Sequence, residues 1–263
     1  MPWGPLLCLS SLLCHLLLSA ATSRLLHLLF PSLPRQDLLY AANWSVSLLQ
    51  ATSVSSLGLY YSWLTGPSTL YHTALPLLVP CGWASLGYWL YDLLQLAYLA
   101  NYRAQAPQLG LKQLPSQLWV FVTWWPGLVA HHLGIIAFLW WGVLSPTREG
   151  RGEGMIVISY VMELSSVFVA ARGLLARLGL RATRLYRGVS LAMVASFFLA
   201  RVVLVPGVVM LYSQEAGLGV LEGFLSIPLQ CQLGTAAFYS LNCYWFLLML
   251  RGCVRAVAKG KIE

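Results

Sequence analysis

Apolar positions along the chain gather into seven runs, roughly 5–23, 38–62, 77–100, 116–144, 154–176, 188–213 and 224–250. Each is close to or longer than the ~20 residues that an α-helix needs to cross a bilayer. Short segments carrying charges, Gly and Pro separate them. The pattern predicts an all-α multi-pass membrane protein with seven transmembrane helices. The fourth run contains Pro126, which removes one helical hydrogen bond and predicts a kink. No repeat of ~20–50 residues is visible, which argues against a solenoid. No linker is long enough to divide the chain into separate folding domains.

Polar residues inside the runs recur three or four apart, on one helical face. Such stripes are Asn43, Ser47, Gln50, Ser53, Ser56 and Tyr60; Tyr88, Asp92 and Gln95; Ser159, Glu163 and Ser166; and Gln232, Thr235, Tyr239 and Asn242. They predict a bundle around a partly polar cavity; the alternative is hydrogen bonding between helices. Asp92, His131, His132, Glu163 and Arg201 are ionisable groups within apolar runs. If each run is one straight helix, a rise of 1.5 Å per residue places all of them within about 6 Å of the mid-depth. Ionisable groups at that depth face a protein interior or a wet cavity.

Composition agrees with the pattern. Hydrophobic residues make up 59% of the 263-residue chain and charged residues 9%, far below the ~25% charged residues of a soluble domain. The net charge of +8 lies in short loops between apolar runs, so it points to membrane topology, with no nucleic acid as partner. Thirteen of the 16 Lys and Arg fall in 24–37, 101–115, 172–187 and the tail, all on one side if seven helices alternate. The positive-inside rule then puts the N-terminus in the lumen and the C-terminus in the cytosol. The first run lacks the positive n-region of a signal peptide and reads as an uncleaved anchor. Asn43-Trp44-Ser45 matches a glycosylation sequon, but near the cytosolic end of its helix, where it stays unmodified. Lys259 and Lys261 resemble a dilysine retrieval signal of endoplasmic-reticulum membrane proteins. The six cysteines show no C-x-x-C spacing, so neither a zinc site nor a disulfide framework is indicated.

Among the buried ionisable groups, His131 and His132 are the candidate general base or nucleophile. Adjacent residues point about 100° apart on a helix, so only one can face a given atom. Glu163 or Asp92 would orient the imidazole, as the acidic member of a triad does. Alternatively, Arg201 pairs with Glu163 or Asp92 as a structural ion pair. No H-x-x-x-H spacing supports a metal site. His15 and His72 read as structural or interfacial, and His27 lies in a basic loop.

Several stretches resemble the TLC-domain family of multi-pass membrane proteins. They are Gly87-Tyr88-Trp89-Leu90-Tyr91-Asp92, His131-His132, Met162-Glu163-Leu164-Ser165-Ser166-Val167-Phe168, Ala200-Arg201-Val202-Val203-Leu204-Val205-Pro206, and 243–252 from Cys243 to Gly252. The similarity is greatest to the small ceramide-synthase-like branch. The resemblance implies that six helices form a barrel around a central cavity. It divides the chain into an N-terminal anchor helix and loop (1–34), a TLC domain (35–255) and a cytosolic tail (256–263). It further implies residence in the endoplasmic reticulum and sphingolipid metabolism. In ceramide synthases the histidine pair serves N-acyl transfer from acyl-CoA to a sphingoid base. The synthases carry a His-Asp motif with a second Asp where this chain has Met162-Glu163-Leu164-Ser165-Ser166. The expected partners are membrane lipids, acyl-CoA and a sphingoid base, with homo- or heterodimers of TLC-domain proteins as a further implication. No cofactor is expected; acyl-CoA would be a co-substrate. A non-catalytic role in lipid binding or homeostasis is the alternative, and a proton-coupled transporter ranks last because internal repeats are absent.

Overall fold

A computed structural model describes residues 3–69, 77–103, 114–142 and 153–258. Lys259 and Lys261 lie outside the described residues. Among those described there is no strand, and the chain is all-α. In chain order the helices are α1 (Gly4–Leu29), α2 (Arg35–Thr69), α3 (Leu78–Arg103), α4 (Leu114–Trp124), α5 (Pro126–Gly142), α6 (Glu153–Met162), α7 (Leu164–Arg177), α8 (Arg184–Phe197), α9 (Leu204–Glu215), α10 (Val220–Ser226) and α11 (Leu229–Ala258). A π-helical segment, Phe198–Val203, joins α8 to α9. Four helical stretches are long and apolar enough to cross a membrane, or up to five if the bent α4–α5 pair is one span. The protein is a multi-pass membrane protein. α2 and α3, two of the seven runs read as spans, do not pass that test; their polar residues lower the hydropathy while their length remains ample.

The expected kink at Pro126 is a break. Trp125 leaves the helical conformation, as the residue before proline tends to do. The two helices then diverge by 104°. His131 and His132 sit in the second turn of α5, so the mid-depth reading, which assumed one straight helix over 116–144, no longer applies to them.

The chain divides into two compact units: Met1–Gln50, Leu75–Glu149 and Gly173–Gly179 form one, and Ala51–Ala74, Gly150–Arg172 and Leu180–Glu263 the other. In the first unit α3 is central, with α1, α4 and α5 packed on it. The α1–α3 contact is close because glycine permits it. A Cβ on Gly87 would meet the Cys8 carbonyl, Ser11 Cβ at 2.8 Å and the Leu12 nitrogen at 2.9 Å. Two of these are backbone atoms and cannot swing aside. Gly87→Ala should therefore lower stability by about 1–3 kcal/mol in thermal unfolding of the detergent-solubilised protein. Gly134→Ala, where nothing lies within 4 Å, is the matched control and should be near neutral. At the start of α2, Arg177 donates to Asp37 Oδ1 at 2.8 Å and lies over the Tyr40 ring at 4.0 Å, tying the end of α7 to that helix.

In the second unit Gly58 of α2 lies against Tyr160 and Val161 of α6. Phe198 stacks on Phe246 of α11 with centroids 5.2 Å apart. α8 begins at Thr183, whose hydroxyl accepts from the Tyr186 N–H at 3.2 Å, satisfying one of the unpaired amides of the first turn.

Candidate functional site

In the first unit, His132 of α5 meets Asp92 of α3. The His132 Nε2 to Asp92 Oδ2 distance is 2.7 Å, and His132 Nδ1 lies 2.8 Å from the Leu128 carbonyl oxygen one turn back. A carbonyl only accepts, so Nδ1 carries a proton. The Asp92 contact then needs a second proton, either on Nε2 or on the carboxyl group. One proton is thus shared across the His132–Asp92 bond. The other carboxylate oxygen accepts from Asn43 Nδ2 of α2 at 3.2 Å, and Asn43 Oδ1 accepts from the Tyr91 hydroxyl at 3.0 Å. Asp92, His131, His132, Asn43 and Tyr91 are all buried. A buried charge without such partners would be costly, and here each carboxylate oxygen has one.

His131 is seated beside this pair. Its ring meets the His132 ring edge-on, with centroids 5.7 Å apart. The Trp89 indole faces both rings in the same edge-on manner, at 6.0 Å from His131 and 5.2 Å from His132. Trp89 has no ionisable group to mark it in the sequence, yet it packs against both histidines. The Asn43 sequon is committed internally: the amide that a glycan would occupy is buried and bonded on both sides.

The second unit holds a separate polar cluster. Arg201 Nη2 donates to Glu163 Oε1 at 2.9 Å and to Ser166 Oγ at 2.8 Å, while Arg201 Nε donates to Ser165 Oγ at 2.7 Å. The Phe197 ring lies 5.5 Å from the guanidinium carbon. Both partners sit where their helices are irregular. Glu163 is the turn residue between α6 and α7, with its N–H bonded three residues back to Tyr160. Arg201 lies inside the π segment, which closes with the Leu204 N–H on the Leu199 carbonyl. π segments often mark functional positions. Here the widened turn carries the buried arginine.

The TLC domain, as a family profile, matches residues 41–251, most of the chain. The chain belongs to the TLC-domain family. No solved structure matches it. TLC-domain membership associates the chain with membrane lipids and with lipid metabolism or homeostasis.

For this TLC-domain protein the structure sorts the candidate residues into pairs that spacing alone left open. Asp92 meets His132, and Glu163 meets Arg201. Among the described residues no three His, Cys, Asp or Glu side chains are grouped so as to hold a metal. The polar stripes divide as well. On α2 Asn43 is buried, whereas Ser53, Ser56 and Tyr60 are exposed. On α11 the Gln232 amide donates to the Leu225 and Ile227 carbonyls at 3.0 and 2.8 Å, fastening the end of α10. His15 of α1 packs against Tyr88 and Tyr91 at 5.3 and 5.7 Å, so this isolated histidine adjoins the site.

Proposed function

We propose that this TLC-domain protein transfers a long-chain acyl group from acyl-CoA to the amine of a sphingoid base, in the manner of a ceramide synthase. The observation that carries the reading is the buried Asp92–His132 pair with His131 edge-on beside it. The amine nitrogen attacks the thioester carbonyl carbon and a C–N bond forms. The amine proton passes to His131, the C–S bond breaks, and the departing thiolate takes that proton. Both ring nitrogens of His132 already have hydrogen-bond partners, which is why the moving proton is assigned to His131. The Asp92–His132 pair fixes the neighbouring ring. In this reading Glu163 and Arg201 hold the second unit together, and the chemistry falls to the histidines and Asp92. The basic loops face the cytosol and meet the phosphates of acyl-CoA. Residues 1–34 form the first helix and loop, 35–255 the TLC domain and 256–263 the tail. Lys259 and Lys261 retain the protein in the endoplasmic reticulum, with the N-terminus lumenal. No cofactor takes part.

The test is N-acyl product formation by purified protein in nanodiscs, followed by mass spectrometry. His131→Ala should lower turnover by about 10²–10⁴, the worth of a positioned base, and His132→Ala should lower it too. Undiminished product from both variants refutes the reading. A second, non-catalytic reading has its own support. Asp92 and His132 satisfy each other, and Glu163 neutralises Arg201, as in a protein that binds lipid without transforming it. That reading predicts saturable lipid binding with no turnover by the unaltered protein.

A further inference from the structure

α1 lies outside the residues that match the family domain, which begin at 41. Its sequence is leucine-rich on every side, as a plain anchor would be. Its buried residues tell otherwise. Gly4, Cys8, Ser19 and Leu26 are buried, and together with Ser11 and His15 they fall three, four or seven apart along one seam. Along this seam α1 is fitted to α3: Gly4 lies against the Trp83 indole, Ser11 Oγ donates to the Ala84 carbonyl at 2.6 Å, and Gly87 admits the Cys8 carbonyl.

The seam ends at the site. His15 is held by its own helix, with Nδ1 2.7 Å from the Ser11 carbonyl, and packs on the rings of Tyr88 and Tyr91. Ser19, one turn further on, is buried on the same seam. Tyr91 is fully buried and donates to Asn43, which donates to Asp92, which holds His132. Successive donors pointing the same way polarise one another and strengthen the chain.

We infer that α1 completes the site, with His15 as a positioning residue that packs on Tyr91 and, through Asn43 and Asp92, seats His132. For the reaction itself this rests on the proposed acyl transfer; for the geometry it does not.

The experiment uses the full chain in nanodiscs with ¹⁵N-labelled histidine, the His132 ring signals being assigned by their loss in His132→Ala. His15→Ala and Tyr91→Phe should each shift those signals, while His15→Phe, which keeps an aromatic ring against Tyr91, restores them. Ser10→Ala, on the exposed side of α1, should leave them in place. In the acyl-transfer assay His15→Ala should lower kcat by about two- to tenfold, the worth of one aromatic contact, with KM little changed and His15→Phe restoring the rate. His132 signals that stay fixed in both His15→Ala and Tyr91→Phe would overturn the inference. Shifted signals in a protein that makes no N-acyl product would uphold it and reject the reaction instead.

Discussion

Glu163→Ala should be the most damaging single substitution in the second unit, lowering stability by about 3–5 kcal/mol. The Arg201 side chain is 4% exposed and that of Glu163 15%. Removing the carboxylate leaves a guanidinium, which cannot lose its proton, with the hydroxyls of Ser165 and Ser166 and the Phe197 ring for company. Those hydroxyls offer dipoles but no opposing charge. A water-filled surface would repair the loss, but this site is buried. The paired change Glu163→Leu with Arg201→Leu removes both charges and fills similar volume. It should recover most of the stability, since a buried ion pair can often be replaced by apolar side chains without loss. Thermal unfolding of the native protein, Glu163→Ala and the paired variant in one detergent gives the answer. A double variant as unstable as Glu163→Ala would show that the pair is not the reason.

Asp92 should separate charge from hydrogen bonding. The Asp92 carboxylate serves the His132 imidazole on one oxygen and the Asn43 amide on the other. Asp92→Ala removes both acceptors and strands buried polar atoms, so it should cost about 1–3 kcal/mol of stability as well as activity. Asp92→Asn can still accept from Asn43 with its oxygen and can donate its own N–H to Nε2 of a neutral His132. That variant should fold nearly as well as the native protein. It nonetheless lacks the charge that balances a protonated imidazole, so N-acyl transfer should fall by about 10²-fold or more. The two quantities to measure are melting temperature and product formation on the same preparations. Full turnover by Asp92→Asn would mean that the carboxylate's charge plays no part.

Much of the architecture was legible because long apolar runs have few structural solutions. Partnership among the ionisable groups was not. Position along a helix gives depth, but neighbours are fixed by azimuth and by which helices touch, and neither is written in the spacing of one segment. Asp92 and Glu163 were equivalent candidates for the histidines; only packing put Asp92 beside His132 and Glu163 beside Arg201. The α2 stripe left two readings open for another reason. Serine and threonine hydroxyls can bond to carbonyls of their own helix, as Ser55 does to Thr52 and Thr65 to Tyr61. A row of hydroxyls therefore need not line a polar interior. The role of α1 was hidden because its contact seam is made of small residues among leucines that are apolar all round, leaving no amphipathic face to detect. Pro126 was visible, but the size of the turn there came from Trp125 leaving the helix altogether.

The π segment at Phe198–Val203 also affects how this chain lines up with others. A π turn accommodates one residue more than the α turn it replaces, so it amounts to a one-residue insertion absorbed without breaking the helix. A chain lacking one residue there would read straight through as α-helix, and everything beyond would keep its facing relative to α8, because the wider turn takes up the ~100° that one added residue would otherwise impose. Arg201 is therefore matched to its counterpart in another chain only when the gap falls inside 198–203. A gap placed a few residues away would match Arg201 with a residue on a different side of the helix.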